Sequence, residues 1–172
     1  MRPLTRASPA MCLRAVAVHR IPATRSFATT TPRHSLFASY LNTVRKNVKE
    51  ITPQQLNAKL ASAPQQDGNA HTAFHVLDVR EPQEWNKDCL PYALYTGRGC
   101  LERDIEGIVP DPYDNIVVYC AGGVRSILAA DALQKMGYKN VASLSGGISQ
   151  WKQDGYPLGK AHQSFSPLVA YE

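Results

Sequence analysis

The sequence predicts an α/β domain in which a central parallel sheet is flanked by α-helices on both faces. Three observations predict it. From about residue 48 onward, short apolar runs alternate with segments of helical character. Two of those runs, Ala73 to Val79 and Ile116 to Tyr119, are mostly apolar throughout, as in strands buried on both sides. Behind the second lies Val124 to Met136, where Val124, Ile127, Leu128, Leu133 and Met136 recur largely at three- and four-residue spacings, as on one face of a helix. A chain of 172 residues, 44% hydrophobic, is long enough for one respectable core, so a single folded domain is expected.

The chain divides first by charge. Residues 1–49 hold seven Arg, two Lys and no acid, a net +9, which leaves ten bases against 14 acids, or −4, for the remainder. The basic balance therefore belongs to the N-terminal segment, and nothing in the mildly acidic remainder suggests a nucleic-acid surface. A stretch rich in Arg, Ser, Thr and Ala and free of acids has the composition of an organellar transit peptide. Arg25-Ser26-Phe27-Ala28 resembles a processing site, and Thr29-Thr30-Thr31 suits further trimming near Ser35. Arg14 and His19 interrupt its apolar stretches, well short of a membrane span. Residues 1–34 are accordingly read as a mitochondrial transit peptide, 35–47 as a linker, 48–158 as the folded domain and 159–172 as a C-terminal tail.

Within the domain, Val48 to Ile51 reads as a short strand. Thr52-Pro53-Gln54-Gln55 opens a helix, with Thr as N-cap, Pro in the first turn and Gln55 at the capping-box position; it runs to about Ser62 and turns Leu56 and Leu60 inward. Pro64 to Asn69 is a polar turn before the strand Ala73 to Val79. Pro82 to Asn86 predicts a short helix, Ala93 to Thr96 a strand, Gly97-Arg98-Gly99 a turn, and Asp104 to Pro112 a loop with a short helical piece. Ile116 to Tyr119 is followed by the helix Val124 to Met136, with Gly137 as its C-cap. Val141 to Leu144 is a last strand, Gly146-Gly147 leads into a helix through Trp151, and the stretch from Gly155 onward is loosely packed.

The chemistry concentrates at Cys120. Reactive groups in an open parallel sheet sit at the carboxyl ends of strands, and Cys120 ends one. Ala121, Gly122, Gly123 and Val124 can turn backbone N–H groups toward the sulfur, and Gly122 and Gly123 permit unusual backbone angles. The helix starting near Arg125 and Ser126 adds partial positive charge, which favours the nucleophilic thiolate. Four residues separate Cys120 from Arg125. A loop that encloses a phosphate needs its arginine one place later, where Ser126 stands, so the tighter ring suits a single sulfur atom. Cys12 leaves with the transit peptide, and Cys89, Cys100 and Cys120 lack CxxC spacing. Neither a disulfide framework nor a metal site is expected. Cys89 and Cys100 are read as small apolar residues, and Trp85 and Trp151 as packing.

These segments resemble the rhodanese family of single-domain sulfurtransferases. Leu77-Asp78-Val79-Arg80-Glu81-Pro82-Gln83-Glu84-Trp85 is similar to its N-terminal signature, Val118 to Ser126 to its active-site loop, and Leu144-Ser145-Gly146-Gly147-Ile148-Ser149-Gln150-Trp151 to its closing motif. One stretch departs: where the family has Gly-His-Ile-Pro-Gly-Ala, this chain has Asp88-Cys89-Leu90-Pro91-Tyr92-Ala93. The resemblance implies a rhodanese-like fold and transfer of sulfane sulfur through a persulfide on Cys120, without a cofactor. Thiosulfate or a persulfide would be the donor, and cyanide, glutathione or another thiol the acceptor. Arg125 would orient the anionic donor, and Arg98, in the Gly-Arg-Gly turn, would lie near the pocket mouth. Asp78 and Arg80 are expected to support the site as an ion pair, and Ser126 to start the helix. The mitochondrial matrix is the expected compartment. Two rivals remain open: a sulfur-relay module served by a protein partner, and a cysteine phosphatase or arsenate reductase on the same fold.

Overall fold

The computed structural model describes residues 35–62 and 74–160. The expected transit peptide, Cys12, the turn at Pro64 to Asn69 and nearly all of the expected tail lie outside them. Five strands form one parallel sheet: β1 (Lys49–Ile51), β2 (Phe74–Asp78), β3 (Ala93–Tyr95), β4 (Asn115–Tyr119) and β5 (Asn140–Leu144), in spatial order β1-β5-β4-β2-β3. The helices are α1 (Leu36–Arg45), α2 (Pro53–Ser62), α3 (Pro82–Trp85), α4 (Leu101–Ile108), α5 (Val124–Met136) and α6 (Gly147–Gln153).

Strand geometry sends successive side chains to opposite faces, and β4 divides its residues accordingly. Ile116, Val118 and then Cys120 join a core with Leu101, Ile105, Ile127 and Leu133 from α4 and α5. Val117 and Tyr119 join a second core with Leu56 of α2 and Ile148 and Trp151 of α6. Both faces of the sheet are thus covered. The chain leaves β2 toward β3 on one side and leaves β4 toward β5 on the other. The carboxyl ends of β2 and β4 therefore flank the topological switch point, where open α/β sheets place their ligands. Asp78 ends β2 there, and Cys120 immediately follows β4.

Local chemistry accounts for the helix ends. Thr52 N–H donates to Gln55 Oε1 at 3.0 Å while Gln55 N–H donates to Thr52 Oγ1 at 3.2 Å, closing a reciprocal capping box on α2. Gly137 adopts φ +119° and closes α5, its N–H reaching the carbonyls of Leu133 and Gln134.

Three expectations change. Residues 36–45, expected in a linker, form α1: Ser35 caps it, and Val44 and Leu41 pack on the α4–α5 core. The short helical piece expected within the loop Asp104 to Pro112 is instead the longer helix α4, which begins earlier, at Leu101. Leu101, Ile105 and Ile108 give it a buried stripe, but its start at Cys100 has no side-chain cap to announce it. Of the stretch expected to be loose from Gly155 onward, residues 155–160 are described, and they are held. Trp151 Nε1 donates to the Pro157 carbonyl at 2.8 Å, Tyr156 packs on Trp151, and Gly159 forms an antiparallel bridge with Cys89.

The segment that departs from the family pattern keeps a glycine-like backbone without the glycine. Tyr92 has φ +59° and its side chain is exposed. A β-carbon in that region costs about 1–2 kcal/mol. Replacing Tyr92 by Gly is expected to stabilise the fold by about 1 kcal/mol, read as a higher denaturation midpoint in urea; an unchanged or lower midpoint would show the strain to be compensated by Tyr92's own contacts.

Candidate active site

Cys120 is buried immediately after β4, and its sulfur accepts a hydrogen bond from Gly123 N–H at 3.1 Å. The loop between them is held from outside by α6. Ile148 N–H donates to the Cys120 carbonyl at 2.9 Å, and Ser149 N–H to the Ala121 carbonyl at 3.0 Å. In a planar trans peptide the carbonyl and the following N–H point in opposite directions. Fixing those two carbonyls on α6 therefore turns the N–H groups of Ala121 and Gly122 away from it. Gly147, at φ +56°, makes the approach feasible, since a β-carbon there would lie 2.3 Å from the Cys120 carbonyl oxygen. Gly123 takes φ +95° at the start of α5, whereas Gly122 has no left-handed angle and open space beside it. The expectation that both loop glycines serve the backbone holds for Gly123 alone.

Beneath the sulfur lies a buried pair of hydroxyls. Cys120 Sγ is 3.6 Å from Ser126 Oγ, which donates to the Gly123 carbonyl at 3.0 Å and lies 2.8 Å from Ser143 Oγ. Ser126 has one proton, so with that proton on Gly123 it accepts from Ser143. Ser126 therefore ties the loop to β5 in addition to standing in the first turn of α5. Ser143 escaped the sequence reading; its only signal is a hydroxyl inside the apolar strand Val141 to Leu144.

Arg125 faces a carboxylate that the sequence reading left unassigned. Its Nη1 and Nη2 donate to the two Glu84 carboxylate oxygens at 2.7 and 2.9 Å. Glu84 in turn accepts from Glu81 N–H at 3.1 Å and caps α3. The hydrogen bond from Arg125, outweighing partial burial, holds the Glu84 carboxyl down at about 2. The same hydrogen bond raises Arg125 above the usual guanidinium value. Arg98 engages Glu102, one turn along at 2.7 Å, rather than the Cys120 loop.

Asp78 and Arg80 form a buried knot behind this arrangement. Arg80 Nη2 donates to Asp78 Oδ2 at 2.7 Å, and the Arg80 backbone N–H to Asp78 Oδ1 at 2.9 Å. Tyr119 Oη donates to Asp78 Oδ2 at 2.5 Å and accepts from Leu90 N–H at 3.1 Å, while Arg80 also reaches the Asp88 carbonyl. Burial opposes the Arg80 charge, but the hydrogen bonds and attraction of Asp78 outweigh it and raise its pKa. Burial and then the Asp78 charge keep the Tyr119 phenol protonated. Cys89 is buried, and burial raises its thiol pKa, whereas Cys100, also read as a small apolar residue, is exposed. A separate groove of about 230 Å³, bordered by Lys49, Asn115 and Asn140, lies at the amino ends of the strands, opposite Cys120.

The model of the rhodanese-like domain matches residues 52–154 of this chain. The chain belongs to the rhodanese-like family. A Schizosaccharomyces pombe protein, provisionally named a mitochondrial thiosulfate sulfurtransferase, is 30% identical over 152 residues, covering 82% of this chain and 95% of its own. A rhodanese-related protein of Thermoplasma volcanium has a similar structure, with TM-score 0.53 and 28% identity over 64% of this chain and 97% of that one. A Rhodopseudomonas palustris protein of unknown function, titled a possible tyrosine phosphatase, gives TM-score 0.63 at 28% identity, covering 78% of this chain and all of the other. Named sulfurtransferases among the relatives support sulfur transfer as the activity of this rhodanese-like domain at the level of the family.

Two predictions follow from the geometry of the rhodanese-like site. Gly147→Ala forces a β-carbon into the Cys120 and Ala121 carbonyls and should destabilise the fold by more than about 3 kcal/mol, whereas Gly122→Ala should change it by less than about 0.5 kcal/mol; urea unfolding of both variants checks the contrast. Because the Glu84 carboxyl is depressed from 4.5 to about 2 in the fold, its pair with Arg125 stabilises fully above about pH 5 and is lost as pH falls toward 2. Both side chains are about a third exposed, so the effect should be no more than about 1 kcal/mol. The stability difference between the parent and Glu84→Gln, measured across that range, should shrink toward zero on acidification.

Proposed function

We propose that this rhodanese-like domain transfers sulfane sulfur through a persulfide on Cys120. The observation that carries the reading is the Gly123 N–H on Cys120 Sγ at 3.1 Å, within a loop of four residues that ends at Arg125. The first N–H groups of a helix lack intrahelical partners, so the start of α5 supplies further donors around a sulfur attached to Cys120. In the first half-reaction the Cys120 thiolate attacks the outer sulfur of thiosulfate. The S–S bond of thiosulfate breaks, sulfite leaves with the electron pair, and Cys120 carries a persulfide anion. In the second, a nucleophile such as cyanide, glutathione or another thiol takes the outer sulfur and returns the Cys120 thiolate. The same step accepts a persulfide as donor, with a thiolate leaving in place of sulfite.

In this reading Arg125 and the N–H groups from Ala121 to Arg125 stabilise the charge that develops on the donor and on the persulfide. Asp78 and Arg80 support the walls of the site, and Arg98 stands on the turn after β3. Mitochondrial residence, in the matrix, is supported by the acid-free basic segment and by the mitochondrial name of the fission-yeast relative. A sulfur-relay role with a protein partner uses the same persulfide and differs in the source of the sulfur.

The test is intact mass after incubation with thiosulfate. One added sulfur is expected on the parent protein and none on Cys120→Ser, whose thiocyanate production from thiosulfate and cyanide should fall by at least about a thousandfold. A Cys120→Ser protein that still turns over would overturn the reading, and turnover only with a partner protein would establish the relay.

A further inference from the structure

The arginine that a small anionic donor would use is already occupied. Arg125 holds both oxygens of Glu84 at 2.7 and 2.9 Å. The competing carboxylate is not a loose surface group, because its Oε2 also accepts the Glu81 N–H and thereby caps α3. Glu84 thus has a second partner within its own helix besides Arg125. Glu81 adds a second negative charge that Arg125 senses. Among the described residues, Arg80 and Arg98 offer no substitute: Arg80 is buried against Asp78 and Asp88, and Arg98 lies on Glu102. Yet the pair is not sealed. The side chains of Arg125 and Glu84 keep 34% and 31% of their exposure, which leaves them accessible to an incoming anion.

From this geometry we propose that Glu84 is a specificity-determining residue, whose carboxylate competes with the anionic donor for the Arg125 guanidinium. The inference rests on the sulfur-transfer reading for its biological meaning, although its physical content is a binding competition. A dianion such as thiosulfate must displace Glu84 from Arg125 or sit beside an unrelieved carboxylate, and both weaken its binding. A persulfide anion on a thiol with no other charge has half that charge and is penalised less. The site therefore favours low-charge persulfide donors over thiosulfate, and Glu84 is the residue that sets the preference.

The test separates this competition from turnover. Thiosulfate binding is measured by calorimetry on the full chain carrying Cys120→Ser, with and without Glu84→Gln. Glutamine keeps the side-chain acceptor that caps α3 while removing the charge, and circular dichroism establishes that both proteins are folded. Binding should tighten about fivefold in the Glu84→Gln protein. In the presence of Cys120, the same substitution should lower KM for thiosulfate by a similar factor and move KM for an uncharged-body persulfide by less than twofold. Equal, weaker or undetectable thiosulfate binding after Glu84→Gln overturns the proposal, as does an equal shift in KM for both donors. Failure of the sulfur-transfer reading itself is seen elsewhere, as the absence of an added sulfur on the parent protein.

Discussion

Two hydrogen bonds set the conformation on which the site depends, those from Ile148 and Ser149 N–H to the carbonyls of Cys120 and Ala121. They decide which way the loop's peptide planes face. With the carbonyls committed to α6, the N–H groups of the same planes must turn the other way, and the donors at the start of α5 are left for the sulfur. The closing Gly146-Gly147 motif is thus part of the active site although its side chains do no chemistry. Its contribution is space: no residue with a β-carbon can stand at Gly147 without meeting the Cys120 carbonyl oxygen.

A second constraint holds the opposite wall. Asp78, at the end of β2, receives Arg80 and Tyr119, and Arg80 and Tyr119 then reach the Asp88 carbonyl and the Leu90 N–H. A carboxylate buried without such partners would be costly, and one that binds two chain segments makes both conformationally specific. The segment from Glu81 to Leu90 is pinned at each end by this knot, and α3 lies between the pins. Glu84 meets Arg125 because the knot fixes the helix from which it projects.

Much of this was legible in the sequence. Strand–helix alternation gave the parallel sheet, and the Cys120–Arg125 count bounded the loop. What escaped were groups whose partners are far away in the chain. Glu84 read as the penultimate letter of a signature, since its bond to Arg125 spans 41 positions. Ser143 read as a strand residue because nothing local announces the Ser126 hydroxyl. Helix α4 was shortened for a different reason: its cap at Cys100 offers no side-chain acceptor, so the start signal was missing while the apolar spacing was present. Tyr92 is the converse case. Tyr92 stands where the family pattern has glycine and takes φ +59°, between Leu90, whose N–H donates to Tyr119 Oη, and the strand β3.

The hydroxyls under Cys120 show how a rigid loop can still accommodate two states of its sulfur. A thiol donates its proton, and Ser126 Oγ at 3.6 Å is placed to accept it while donating to Gly123. A sulfur that has lost its proton only accepts, and the Ser126 proton then has two acceptors within reach, the Gly123 carbonyl and the sulfur. Ser143 has a hydrogen to give Ser126 in either case. A change of charge on the sulfur therefore calls for rotation of one buried hydroxyl and no movement of backbone. The loop can stay fixed by α6 because the adjustment is confined to a proton.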